Sequence, residues 1–143
     1  MKISSKGRYG LAVLASMAKN EGVGKIVSVI SLSERLEISK IYLEQVFSLL
    51  KRGGFVTAVK GSNGGYYLAK PPKEITVYDV LSAIETAMFE KTEATISKRD
   101  ENLERSINEN VYAALDAAIN ETLSGITLED IVNKSSVEIM YYL

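Results

Sequence analysis

Two strand-forming runs that flank a glycine-rich loop are the sequence feature that most constrains the fold. Residues 55–60 and 66–69 are rich in β-branched and aromatic side chains, and the loop between them, 61–65, consists mainly of Gly and Asn. Glycine and asparagine adopt the backbone conformations of tight turns, so this pattern predicts a β-hairpin. We expect the proline pair at 71–72 to end the unit.

Helical segments precede the hairpin. In residues 4–20, apolar side chains recur at helical spacing and two glycines follow shortly afterwards, which predicts a first helix. A second, short helix is predicted over residues 28–36, with Ser31 and Glu34 spaced as a capping box.

The third helix is predicted over residues 40–52, between an N-cap at Ser39 and a pair of glycines. Four apolar residues have the i, i+3, i+4, i+7 spacing of one buried face: Leu43, Val46, Phe47 and Leu50. The opposite face is polar. Three helices followed by a hairpin is the element order of a winged helix-turn-helix. The predicted fold class is therefore mainly α-helical with a small β-hairpin.

Charge divides the chain of 143 residues into two regions. Residues 1–73 carry 12 Lys and Arg against 4 Glu, a net charge of +8, whereas residues 74–143 carry 5 basic against 14 acidic residues, a net charge of −9. A basic segment suits a polyanion, and an acidic one suits a different role. We predict a winged helix-turn-helix DNA-binding region at 1–73 and a helical dimerisation or effector region at 74–143.

The absence of Cys and His removes several classes of chemistry. Without them there is no disulfide, no thiolate or imidazole metal ligand and no Ser-His-Asp triad. No acid, base and nucleophile stand at recognisable spacing, so we do not expect an enzyme. Acidic residues within 90–104 lack the spacing of a calcium loop and are expected to be solvated. The sequence predicts no metal and no cofactor.

No apolar run approaches the roughly 20 residues that cross a bilayer. The apolar stretch 11–17 follows basic residues, as in a signal peptide, but it is short and interrupted by Ser16, which favours an amphipathic helix. We therefore expect a cytoplasmic protein without a membrane partner.

A long amphipathic helix dominates the acidic region. Thr76 and Asp79 are spaced as a capping box for a preceding helix, a loop is predicted over 90–102, and the long helix runs from about 97 to 123. Its apolar arc is too wide for a chain of this size to cover, so we expect a second copy of the chain to cover it. The predicted dimerisation residues are Leu103, Ile107, Val111, Leu115 and Ile119.

After the long helix, Gly125 is predicted to act as a stop, and a last short helix is predicted over 127–132. The tail 135–143 is apolar, and we expect it to pack against another surface rather than to remain free in solvent.

The candidate DNA-binding residues fall in three places. A recognition helix needs long polar side chains near its N-terminal end, where they reach base edges in the major groove. Glu44 can accept a hydrogen bond from a cytosine amino group, and Gln45 can pair with adenine. The candidates on this helix are Ser39, Lys40, Tyr42, Glu44 and Gln45; those in the hairpin loop are Lys60, Gly61, Ser62 and Asn63; those around the first helix are Lys2, Ser4, Lys6 and Arg8.

Each of these features has a plain structural alternative. A solvated helix face explains any single charge, and it is the explanation that we favour for Lys51. A flexible turn explains the hairpin loop taken alone. The prediction of nucleic-acid binding therefore rests on the combination of basic charge, polar helix face and hairpin.

Four motifs resemble the Rrf2 family of bacterial transcription regulators. They are MKISSKGRYG at 1–10, YLEQ at 42–45, KGSNGGY at 60–66 and ITVYDV at 75–80, and ITLED at 126–130 extends the match. The resemblance implies a homodimeric winged helix-turn-helix that binds operator DNA and dimerises through a long C-terminal helix. It also implies that the third-helix and wing candidates contact the DNA.

The chain departs from the family at one point. Many members hold an iron-sulfur cluster on three Cys between the fourth helix and the long helix, whereas residues 88–110 contain none. An iron-sulfur sensor is thereby excluded, and the chain resembles the cluster-free branch, which includes a repressor of cysteine metabolism that acts with cysteine synthase. The resemblance leaves open whether this chain has a protein or small-molecule effector.

The sequence therefore predicts a repressor that binds a two-fold operator in double-stranded DNA as a homodimer. The alternative is a protein-interaction module that keeps the fold and uses its acidic half to hold a partner enzyme.

Overall fold

A computed structural model describes residues 2–90 and 100–142, with side chains described as far as Ser135. The elements are α1 (Ser5–Asn20), α2 (Val29–Leu36), α3 (Lys40–Arg52), β1 (Val56–Val59), β2 (Gly65–Leu68), a 3-10 turn (Pro72–Glu74), α4 (Val77–Ile84), α5 (Thr86–Phe89), α6 (Glu101–Ile107), a π-helical turn (Asn108–Tyr112), α7 (Ala113–Ser124) and α8 (Leu128–Tyr142). The predicted helices of the basic half, the hairpin and the helix after the prolines are confirmed.

Side-chain caps set the beginnings of these helices. The Ser4 hydroxyl accepts the Gly7 N–H at 3.2 Å, and both halves of the predicted capping box between Thr76 and Asp79 are present. The predicted capping box at Ser31 and Glu34 is wrong. Ser28 caps α2 instead, and its hydroxyl accepts the Ser31 N–H at 3.1 Å, because extended backbone at Ser28 provides the geometry that an N-cap needs.

The hairpin is antiparallel and pairs Val56 with Leu68 and Val59 with Gly65. Val27, just before α2, extends the hairpin by one more bridge. Its N–H donates to the Tyr66 carbonyl at 2.8 Å, and the Tyr66 N–H donates back at 2.9 Å. The chain that enters α2 is therefore tied to the second strand of the wing.

The hydrophobic core joins the basic and acidic halves of the chain. Residues from α1, α2, α3 and the hairpin pack together with Ile75, Val80 and Leu128, all of which are almost fully buried. The Val77 N–H donates to the Ile126 carbonyl at 2.8 Å, and the Leu128 N–H donates to the Ile75 carbonyl at 3.0 Å. Packing thus crosses residue 74, and a division of roles between 1–73 and 74–143 stays a prediction.

The last helix is longer than predicted. The expected helix over 127–132 continues as α8 to Tyr142, after a capping box in which Asp130 and Thr127 exchange hydrogen bonds of 3.0 and 3.1 Å. Hydrogen bonds to the Asp130 carboxylate, from the Thr127 backbone N–H first and from the Thr127 hydroxyl second, lower the pKa of Asp130. The side chains of the predicted docking tail lie outside the described residues, apart from Ser135, whose hydroxyl accepts a bond from Lys19 at 3.0 Å.

The long helix is interrupted by a π turn that was not predicted. Its described part begins at Glu101, capped by Asp100, and the expected start near residue 97 lies outside the described residues. At the turn, the Asn110 side-chain amide donates to the Ser106 carbonyl at 2.8 Å. It therefore competes with a backbone amide for that acceptor, which favours the wider turn. Gly125 follows the end of α7, as predicted.

Among the described residues, none of the helices has both the length and the apolar character to cross a membrane.

Candidate nucleic-acid interface

Helix α3 presents an exposed polar face. Its apolar residues are buried, whereas Lys40, Glu44 and Gln45 are exposed. The Lys40 Nζ lies 4.0 Å from Glu44 Oε1, and the two side chains keep 56% and 54% of their surface exposed. An ion pair of this kind contributes at most about 1 kcal/mol, so either side chain can exchange its partner for a base edge or a phosphate at little cost.

Ser39 and Tyr42 have structural partners at the beginning of the same helix. The Ser39 hydroxyl accepts the Tyr42 N–H at 3.2 Å as the N-cap. The ring of Tyr42 is half-buried and meets Tyr9 edge to face, with ring centroids 5.3 Å apart. Ser39 therefore caps α3, and Tyr42 holds the start of α3 against α1, in addition to their being candidates for DNA contact.

The wing loop lies beside this face. It carries the four predicted residues, all of them exposed: Lys60, Gly61, Ser62 and Asn63. A groove of about 450 Å³ runs between the loop and α3, and its lining includes Lys40 and Glu44 from α3 together with Lys60, Gly61 and Ser62. The structure thus brings Lys40 and Glu44 together with Lys60, Gly61 and Ser62 on one surface, whereas the lining of the groove does not include Ser39, Tyr42, Gln45 or Asn63.

Aromatic stacking and backbone pairing hold the wing against α3. The ring of Tyr66 stacks on Phe47 with centroids 4.1 Å apart and planes 9° apart. Gly65 approaches the chain before α2 so closely that a Cβ atom there would overlap the carbonyl oxygen of Val27. The groove is therefore bounded by elements that are attached to one another rather than by a free loop.

An ion pair joins the end of α1 to α2. Arg35 donates to the Glu21 carboxylate at 2.5 and 3.2 Å and to the Ser16 hydroxyl at 3.1 Å. The hydrogen bond to Glu21 raises the pKa of Arg35. This bidentate contact orients the two helices that support α3.

The candidates at the start of α1 have a different setting. Lys2, Lys6 and Arg8 are exposed, but the Ser4 N–H donates to the Glu85 carboxylate from the end of α4 at 2.6 Å. That carboxylate already satisfies the amide, so a phosphate here would be held by the three cationic side chains and not by the Ser4 amide. The structure does not place these residues in the lining of the groove beside α3.

Sequence reasoning missed two exposed apolar residues, one in this groove and one on α3. Ile30 of α2 is 55% exposed and lines the groove, and Ile41 of α3 is 73% exposed next to Lys40. The sequence already indicated that Ile41 is exposed, because it lies outside the i, i+3, i+4, i+7 stripe that forms the buried face of α3.

The described part of the chain contains no cluster of three or more acidic side chains arranged to hold a metal ion. Because Cys and His are absent from the whole sequence, the residue types that ligate iron-sulfur clusters are missing. The chain does not fit such a cluster.

Comparison with known proteins identifies relatives over nearly the whole chain. The sequence profile of the Rrf2 family, described as "Iron-dependent Transcriptional regulator", matches residues 3–134. The chain is 36% identical over 140 residues to the HTH-type transcriptional regulator IscR of Pectobacterium carotovorum, covering 96% of this chain and 82% of the relative. It is 32% identical over 143 residues to the HTH-type transcriptional regulator CymR of Bacillus subtilis, covering 100% and 98%.

Solved structures agree with these matches. The solved structure of CymR of B. subtilis, named there as the global cysteine regulator, superposes with a TM-score of 0.73 at 31% identity, covering 94% of this chain and 98% of that one. IscR of T. potens gives a TM-score of 0.72 at 31% identity, covering 94% and 88%. The polar face of α3, the adjoining wing and these relatives together show that the chain belongs to the Rrf2 family and is a DNA-binding transcriptional regulator with a winged helix-turn-helix.

Proposed function

We propose that the protein is a homodimeric repressor that binds a two-fold operator without an iron-sulfur cluster. The observation that carries the proposal is the exposed face of α3 beside the wing across one groove. In this arrangement the third-helix candidates, above all Lys40, Glu44 and Gln45, enter the major groove, and Lys60 to Asn63 contact the adjacent backbone. Lys2, Lys6 and Arg8 add phosphate contacts that position the protein without specifying sequence.

The long helix supports the proposed dimer. Leu103, Val111 and Leu115 are 48%, 52% and 54% exposed, and the described residues of α6, the π turn and α7 are nowhere buried. An apolar face of this length is costly in water, and a second copy of the chain would cover it. Ile107 and Ile119 are half-buried in the single chain.

Ile119 also faces its own chain. It lines a small cleft with Tyr78, Met88 and Phe89 from α4 and α5. A substitution at Ile119 would therefore disturb the fold of one chain as well as a dimer. Val111 and Leu115 are the better positions at which to test dimerisation alone.

In this proposal, the dimer represses transcription by occupying its operator. A dimer with paired recognition helices contacts two half-sites about one helical turn apart, or a multiple of that distance, and so covers a promoter against polymerase. A protein or small-molecule effector would alter this occupancy, and the proposal needs neither for DNA binding itself. In line with the relatives, the protein acts in the bacterial cytoplasm.

The test is fluorescence anisotropy with a duplex from the region upstream of the protein's own gene, beside a scrambled duplex of equal composition, at two salt concentrations. We expect the native duplex to bind at least about 1,000-fold more tightly than the scrambled one. The affinity should fall steeply with salt because phosphate contacts release counterions. Binding should saturate at two chains per duplex, and adding the protein to a transcription reaction on the same promoter should lower the transcript.

Charge-removing variants sharpen the test. Lys60→Ala should weaken binding to both duplexes and reduce the salt slope by about 1, as expected for one lost phosphate contact. Lys51→Ala, at the far end of α3, is the matched control and should change little. Equal binding to native and scrambled duplexes, or no binding to either at low salt, would contradict the proposal.

A further inference from the structure

Two isoleucines are exposed on the proposed DNA-facing surface. Ile41 is the second residue of α3 and is 73% exposed, and Ile30 of α2 is 55% exposed. Single apolar side chains are common on protein surfaces. These two are distinguished by their positions, because Ile30 lines the groove together with Lys40, Glu44 and Lys60, and Ile41 lies on α3 one turn before Gln45.

The position of Ile41 on its helix matters for what it can contact. Residues four apart lie on the same helix face, so Ile41 shares a face with Gln45. Gln45 is also exposed, whereas Leu43, Val46 and Phe47 are fully buried. Ile41 therefore belongs to the outward face that carries the base-contacting candidates, not to the core.

The charge around the isoleucines decides which partner they suit. Lys40 and Lys60 favour a polyanion, and the chain is a DNA-binding regulator by its family. In the major groove of B-DNA the apolar group on the base edges is the C5-methyl of thymine. Resting on the proposed function, we propose that Ile41, assisted by Ile30, binds thymine methyl groups and so sets the operator sequence in each half-site.

The spacing along the helix limits where that thymine lies. Four residues of α-helix rise about 6 Å, and successive base pairs are about 3.4 Å apart, so the thymine lies within about two base pairs of the pair that Gln45 contacts. Gln45 is suited to adenine. Each half-site therefore contains a short A·T segment opposite the beginning of α3.

The experiment replaces thymine by deoxyuridine, which removes the methyl group and keeps base pairing. The probe is a duplex of about 30 base pairs, long enough for two half-sites, selected by the wild-type dimer from a randomised pool. Each thymine is replaced in turn, and affinity is measured by anisotropy for the wild type, Ile41→Ala, Ile30→Ala and Lys60→Ala. Circular dichroism confirms that each variant is folded.

At one or two positions per half-site, deoxyuridine should weaken wild-type binding about fourfold, which corresponds to about 0.8 kcal/mol for one buried methyl group. Ile41→Ala should bind the thymine duplex more weakly and lose this sensitivity. Ile30→Ala should reduce the sensitivity in part. Lys60→Ala, the matched control, should bind both duplexes more weakly and keep the fourfold difference, because its contact is to phosphate.

Two results would overturn the inference while leaving the proposed function intact: no position sensitive to deoxyuridine in a duplex that binds specifically, or a sensitivity that persists in Ile41→Ala. Failure of the pool to yield any specific duplex would overturn the proposed function, and the inference with it.

Discussion

Replacing Leu128 by alanine should destabilise the DNA-binding core, although Leu128 lies in the acidic half of the chain. Its side chain is fully buried, and its N–H donates to the Ile75 carbonyl at 3.0 Å. Leu→Ala changes at fully buried sites cost about 2.7–5 kcal/mol, through lost transfer free energy and the cavity that remains. Leu128 is the first residue of α8, where the neighbouring backbone can relax, so we expect about 3 kcal/mol.

A loss of about 3 kcal/mol raises the equilibrium constant for unfolding about 150-fold. For a chain of this length it lowers Tm by about 10 °C. Urea denaturation followed by circular dichroism measures the change, at one fixed protein concentration because the stability of an oligomer depends on it.

Val23→Ala is the matched control for Leu128→Ala. Val23 is 55% exposed, so its truncation should change the free energy of unfolding by no more than about 0.5 kcal/mol. A cost below about 1 kcal/mol for Leu128→Ala, or loss of C-terminal helical signal with the remaining transition unchanged, would refute a core shared between the two halves.

Three further predictions concern the dimer, the wing and the last helix. Val111→Glu with Leu115→Glu should leave a folded monomer that binds DNA far more weakly, because two charges cannot be buried unpaired at an interface. Sedimentation equilibrium measures the oligomeric state, and a dimer would contradict the assignment of these residues to the interface. Gly65→Ala should lower the free energy of unfolding by about 2 kcal/mol or more, since the added Cβ would meet a backbone carbonyl. Gly22→Ala is the control: Gly22 has open space around it, so thermal denaturation should show a loss of only about 1 kcal/mol. The pKa of Asp130 is lowered in the fold, so its hydrogen bonds stabilise the protein above its unfolded pKa of about 3.9 and are lost as the pH falls through the folded pKa. Asp130→Asn should therefore be less stable than the wild type at pH 7, with the difference shrinking below about pH 4; a difference that is constant with pH would show that the carboxylate is not involved.

Local signals explain which parts of the fold were predictable. The third helix carries its own N-cap at Ser39, its own apolar stripe and a glycine stop, so its bounds follow from neighbouring residues alone. The glycine-rich loop likewise predicts the hairpin from neighbouring residues. Ser28, the cap of α2, instead follows Val27, whose backbone pairs with Tyr66 far along the chain. No local pattern contains that pairing.

The candidate site shows the same distinction between local and long-range information. Charge and spacing predicted that Lys40 and Lys60 are functional candidates, and the groove between α3 and the wing brings them onto one surface. The contact between the Glu85 carboxylate and the start of α1 was not predictable, because Glu85 lies at the end of α4, which packs against α1. Ile41 was not among the candidates, because the recognition helix was expected to reach the base edges with long polar side chains.

The π turn at Asn108–Tyr112 has an evolutionary consequence. A π turn holds one residue more than an uninterrupted α-helix of the same course. Deleting one residue there would restore the α-helix and leave the angle between the apolar faces of α6 and α7 unchanged, because the π turn spreads the extra residue over the same rotation. In the proposed dimer, chains that differ by one residue in this segment would therefore present the same apolar face to a partner. A single-residue insertion or deletion is thus absorbed at this turn, whereas elsewhere in α6 or α7 it would rotate the apolar residues on one side of it by about 100° relative to those on the other.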